Sequence, residues 1–61
     1  MKDYEKEICD DILRYGTILS DKEFQCEGNF VRQYQIEYEG EEYNLTKQNG
    51  EWIYIFHHIG K

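Results

Sequence analysis

Proline is absent from this 61-residue sequence, serine occurs once, cysteine twice, and seven basic residues stand against thirteen acidic ones. Each shortage closes off a class of function. The net charge of -6 repels phosphate backbones and anionic lipid and favours basic partners, so neither direct nucleic-acid binding nor membrane binding is expected. No apolar run approaches the ~20 residues that a membrane span requires, and Met1 to Glu7 holds no apolar targeting core, which predicts a cytoplasmic protein. In that reducing compartment Cys9 and Cys26 are expected as two buried free thiols. With His57 and His58 they make up metal-ligand types, yet no Cys-x-x-Cys or His-x3-His spacing occurs, and adjacent residues on a strand point to opposite faces. Neither a metal nor a cofactor is expected. Ser20 is the only serine and lies in no nucleophile elbow, no glycine-rich phosphate loop is present, and so short a chain leaves little room for a substrate cleft. The chain reads as a binding protein and not as an enzyme.

What is present argues for folding. The 39% hydrophobic content and the six tyrosines are too much apolar surface for a disordered acidic tail. One domain, 1–61, uses the whole chain for its core, and area scaling lets it bury only roughly 60% of its unfolded surface. Its stability is therefore modest or shared with a partner.

From Asp3 to Tyr15 the apolar residues recur at 4, 8, 12 and 15, a helix period that gathers Tyr4, Ile8, Ile12 and Tyr15 on an arc of about 80°, widened by Cys9 and Leu13. Asp3 is the expected N-cap. Glu5 and Glu7 complement the positive end of the dipole, Arg14 the negative end, and Gly16 caps it. Asp3, Glu7, Asp10 and Asp11 form an acidic stripe on the outer side. Thr17 to Asp21 reads as a connection, with Ile18 and Leu19 closing one edge of the core.

Three turn signals divide the remainder: Glu27-Gly28-Asn29, Glu39-Gly40 and Asn49-Gly50. Asn-Gly between apolar runs favours a two-residue type I′ hairpin, whose central residues both take positive φ. That pairs Lys47 with Trp52, Leu45 with Tyr54 and Tyr43 with Phe56. The same logic at Glu39-Gly40 pairs Ile36 with Tyr43, Tyr34 with Leu45 and Arg32 with Lys47. Both registers collect Tyr34, Ile36, Tyr43, Leu45, Trp52, Tyr54 and Phe56 on one face. For the first hairpin a three-residue loop, Glu27 to Asn29, is preferred because it returns Phe24 and Cys26 to that face. The expected fold is α+β in two layers: a helix at 3–15 packed on a three- to four-stranded antiparallel meander at 22–59.

The opposite face carries Gln33, Gln35, Glu37, Glu42, Asn44 and Thr46, with His57 expected beside Glu42 and Glu37. Trp52 is expected beside Arg32 and Lys47 in a cation–π cluster. The last strand breaks the polar alternation, since Ile53, Ile55 and Ile59 fall on that face at an edge without proline. Such an edge is a pairing liability, which predicts a homodimer through these isoleucines.

Two functions of different class fit. In the first, the carboxylates of Glu37, Glu39, Glu41 and Glu42, with the stripe of Asp3, Glu7, Asp10 and Asp11, occupy a basic surface on a larger protein. In the second, an oligomer forms a small-ligand site between subunits, with tyrosines, histidines and Arg32 as contacts. The order helix, strand, strand, strand is similar to the start of a double-stranded-RNA-binding domain, but the second helix and its lysine cluster are missing and the charge has the wrong sign. In size, acidity, tyrosine content and lack of catalytic motifs the chain resembles the small proteins that bacteriophages and mobile elements encode to inhibit host nucleases, CRISPR effectors or other defence enzymes. That resemblance implies an inhibitor or adaptor that imitates nucleic acid.

Overall fold

The computed structural model describes residues 1–58. Helix α1 (Asp3–Tyr15) precedes four strands, β1 (Thr17–Cys26), β2 (Asn29–Tyr38), β3 (Glu41–Gln48) and β4 (Glu51–His58). The strands form one antiparallel sheet in the order β1-β2-β3-β4, with the helix on one face, an α+β architecture. The helix has the expected bounds, but its N-cap is Lys2, whose N–H donates to the Glu5 carboxylate (2.9 Å). Asp3 instead occupies the first helical position, where its charge still meets the positive end of the dipole.

The three hairpins share one turn chemistry. Glu27-Gly28, Glu39-Gly40 and Asn49-Gly50 all have positive φ at both residues, the type I′ signature, whose twist matches that of the flanking strands. At Glu39-Gly40 the expected register holds throughout: Arg32 faces Lys47, Tyr34 faces Leu45 and Ile36 faces Tyr43. The first hairpin differs from expectation. Its turn has two residues, not three, so Cys26 faces Asn29 and Phe24 faces Val31 on the side away from the helix. A matched turn twist outweighs the burial of one phenylalanine at the end of a small sheet. Cys26 is accordingly exposed, and only Cys9 is a buried thiol.

Strand β1 starts at Thr17 and pairs along its whole length, so the segment expected as a connection is sheet and all four strands are firm. Leu19 is an extra residue between Ile18 and Ser20, and both Ile18 and Leu19 remain exposed instead of closing the core.

The decisive departure lies in β4. Gln48 faces Glu51 and Lys47 faces Trp52 as expected, but the register then shifts: Thr46 faces Tyr54, Leu45 faces Ile55, Asn44 faces Phe56 and Tyr43 faces His57. Ile53 is the inserted residue of a β-bulge. Residues 52 and 55 would lie on opposite faces of a regular strand, and the insertion lets both face the helix. There Trp52 packs on Tyr34 (ring centroids 5.9 Å apart) and donates from its indole N–H to Asp10 (2.7 Å), while Ile55 packs against the core. Every residue beyond the bulge therefore changes side, and Tyr54 and Phe56 leave the core face.

The core consists of Cys9, Ile12, Tyr34, Ile36, Leu45 and Trp52, with Leu13, Tyr38, Tyr43 and Ile55 packed around it. The helix thus buries the side centred between Cys9 and Ile12, turned by roughly 70° from the arc of Tyr4, Ile8, Ile12 and Tyr15. Tyr4, Ile8 and Tyr15 stay exposed, Tyr15 at 68%. The rotation lets the small Cys9 and Gly16 face the sheet, so that the helix approaches closely and Asp10 reaches the indole.

Candidate interaction surface

Strand register brings four of the expected acidic residues to one end of the molecule, around the Glu39-Gly40 turn, and the helix adds Asp11. Glu37 faces Glu42 directly across β2 and β3, on the face away from the helix. Glu42 also accepts a hydrogen bond from the Gln35 amide (3.1 Å) and faces His58 on β4. On the helix side of the same end, burial raises the pKa of Tyr38, and the negative charges of Glu39 and Asp11 raise it further. Asp11 thus joins the turn from the helix. Glu41 pairs with His57, whose ring stacks on Tyr43 (4.6 Å, 12°).

His57 does not take the position expected of it, and His58 occupies that position instead. His57 lies on the helix side with Glu41, and His58 is the one beside Glu42 and Glu37. The bulge causes the difference. Of the remaining expected acids, Asp10 is engaged by Trp52, and Asp3 and Glu7 stand exposed on the first half of the helix.

Compensation of this charge is sparse. Among the described residues, two carboxylates out of the thirteen in the chain pair with a cationic side chain, Glu51 with Lys6 and Asp21 with Arg32, and a third, Glu41, meets the His57 imidazole. The Arg32 guanidinium donates two hydrogen bonds to Asp21 (3.0 and 2.8 Å), which hold that carboxyl below its usual range and raise the guanidinium pKa. The cation–π cluster is divided: Lys47 lies over Trp52 (4.6 Å), whereas Arg32 lies over Tyr34 (5.3 Å).

Of the residues expected to mediate self-association, Ile53 is 48% exposed at the bulge, Ile55 faces the core, and Ile59 lies outside the described residues. Besides Ile53, the exposed large apolar side chains of β4 are Tyr54 and Phe56. Their rings stack in parallel at 6.5 Å, and the His58 ring meets Phe56 edge-on at 4.9 Å. Sequence reasoning missed this row, because the only signal for it was an uncharged run, Trp52 to Phe56, and its facing depends on the bulge.

A recess of about 230 Å³ lies on the helix side beside the Asn49-Gly50 turn and is lined by Phe30, Arg32, Tyr34, Lys47 and Glu23. The Asn49 side chain accepts from the Phe30 N–H (2.9 Å) and donates to Asn29 (3.0 Å), which fixes this corner of the sheet. Among the described residues, no three His, Cys, Asp or Glu side chains are grouped so as to hold a metal ion, and no helix is long and apolar enough to cross a membrane. Comparison with protein-family models, with curated proteins and with solved structures found no match.

Proposed function

We propose that this chain is a small acidic protein-interaction module, an inhibitor or adaptor that docks its Glu39-Gly40 end on a basic surface of a larger protein that handles nucleic acid or acts in host defence. The observation that carries the reading is the placement of like charges where they cost stability. Glu37 and Glu42 stand directly opposite each other across two strands, an arrangement that opposes folding. Glu39 and Asp11 both act on Tyr38, which sets a carboxylate from the turn and one from the helix near the same ring. A sequence shaped only for folding avoids both, and a cationic partner turns both into favourable contacts. Binding of this kind involves no chemical step, so the chain is read as a ligand of its partner and not as an enzyme.

The test is affinity capture from a host lysate at low salt, followed by stepwise elution with salt and by competition with added DNA or RNA. A captured protein is expected to elute at moderate ionic strength, to be displaced by nucleic acid, and to bind the Glu37→Gln, Glu39→Gln, Glu42→Gln triple variant at least about tenfold more weakly. Capture that is indifferent to salt and to the triple variant overturns the reading.

A second reading rests on the recess beside Asn49-Gly50. In a chain of net charge -6 it brings Arg32 and Lys47 together against Phe30 and Tyr34, with Glu23 also in the lining, a composition suited to a small planar ligand. In an oligomer a second subunit would complete such a site, and its ligand affinity would change little with salt.

A further inference from the structure

The two edges of the sheet differ in kind. Strand β1 carries Asp21, Lys22 and Glu23 and is interrupted by Leu19. Those are devices that keep an edge unpaired. Strand β4 has no charged residue between Trp52 and Phe56 and no proline, and beyond Ile53 it runs in regular register from Tyr54 to His58. The outward N–H and C=O groups of that stretch have no partner within the described sheet, because β4 is its last strand. Nor does the helix shield it. The helix meets β4 through Lys6 with Glu51 and Asp10 with Trp52, and its other end, at Gly16, lies against Ile36 and Glu37 on β2.

We infer that Tyr54–His58 pairs antiparallel with the same segment of a second copy, about a two-fold axis at Phe56, to give a continuous eight-stranded sheet. Tyr54 then stands opposite His58 of the partner subunit, and Ile55 opposite His57 of the partner subunit. Charge selects a second copy as the occupant. Two chains of net charge -6 repel over most of their surface, and this strip bears no carboxylate. The nearest acids, Glu41 and Glu42, sit behind it on β3 against His57 and His58. The strip is also self-complementary, as a two-fold contact requires. The row Tyr54, Phe56 and His58 meets its own copy and becomes a strip of six rings on the open face, while Ile55 is covered on the other.

The interface leaves Glu37 and Glu39 free, so it stands or falls apart from the docking reading, and salt separates the two. Screening weakens carboxylate-led docking but strengthens association between like-charged chains. Light scattering across submillimolar concentrations is expected to give twice the 7.5 kDa chain mass, with tighter association as salt is added. Phe56→Lys sets like charges together at the axis and is expected to raise the dimer dissociation constant at least about tenfold without changing the circular dichroism. As a measurement that does not depend on that variant folding, Phe56→Cys in a Cys26→Ser background is expected to cross-link two copies on mild oxidation, and Glu23→Cys on β1 is not. A single-chain mass at high salt, or a cross-link that forms as readily from β1, overturns the inference.

Discussion

Gly16 illustrates how one residue sets the distance between the two layers. Its φ of -82° is open to any amino acid, so glycine is not required there for backbone freedom. A Cβ at this position would lie 2.5 Å from the Ile36 Cγ2, 2.6 Å from the Ile12 carbonyl and 2.9 Å from the Glu37 carbonyl. Two of these neighbours are backbone and cannot swing aside. Gly16→Ala is therefore expected to cost roughly 1–3 kcal/mol in a denaturant melt. Cys9 is fully buried, and burial, with Asp10 and Glu5 adding to it, pushes its thiol up to about 11 from 9.0. The folded state thus retains a proton that the unfolded state releases, so this contribution is intact below pH 9 and declines as pH rises towards 11. Melts near pH 8 and near pH 10.5 should show the wild type losing about 2 kcal/mol more than Cys9→Ala over that interval. With a thiol reagent at neutral pH, the exposed Cys26 should react at once and Cys9 only on unfolding.

At the scale of elements, the structure turns on an extra residue in β4. The turns at Glu39-Gly40 and Asn49-Gly50 were legible because these pairs announce positive φ locally, and the β2–β3 register followed from its turn without error, whereas Glu27-Gly28 was read as part of a three-residue loop because that choice buried Phe24. The bulge was not legible. It exists because Trp52 and Ile55 both have partners on the helix side, and those partners, Asp10, Tyr34 and Leu45, come from three other elements. Since Ile53 is the inserted residue, its deletion should leave Leu45 facing Ile55 and Tyr43 facing His57. The expected result is a folded variant that retains those cross-strand NOEs at a cost of less than about 2 kcal/mol. If Phe56 instead moves opposite Tyr43, the bulge does not hold the register as described. The rotation of α1 has a similar origin: apolar period marks a wide arc, and close approach at Cys9 and Gly16 selects which part of it is buried.

For the whole molecule, the governing quantity is a charge of -6 that internal pairs compensate only sparsely. Gel shifts with single- and double-stranded DNA and RNA at low salt should show no complex, because the net charge of -6 repels phosphate and Arg32 is engaged by Asp21. A complex in the micromolar range would remove the docking reading, since a surface that accepts phosphates does not imitate them.

The sequence by itself determined what depends on neighbours along the chain. The helix bounds follow from a period of apolar residues and a terminal glycine, the second and third turns from residues that tolerate positive φ, and the acidic character from composition. Tertiary structure decided which face each side chain takes after Ile53, which arc of the helix is buried, and which carboxylates converge around Tyr38. A facing in a sheet alternates residue by residue, so one inserted residue reverses every later assignment. Whether a residue is inserted depends on the fit between layers, which no local stretch of this chain specifies.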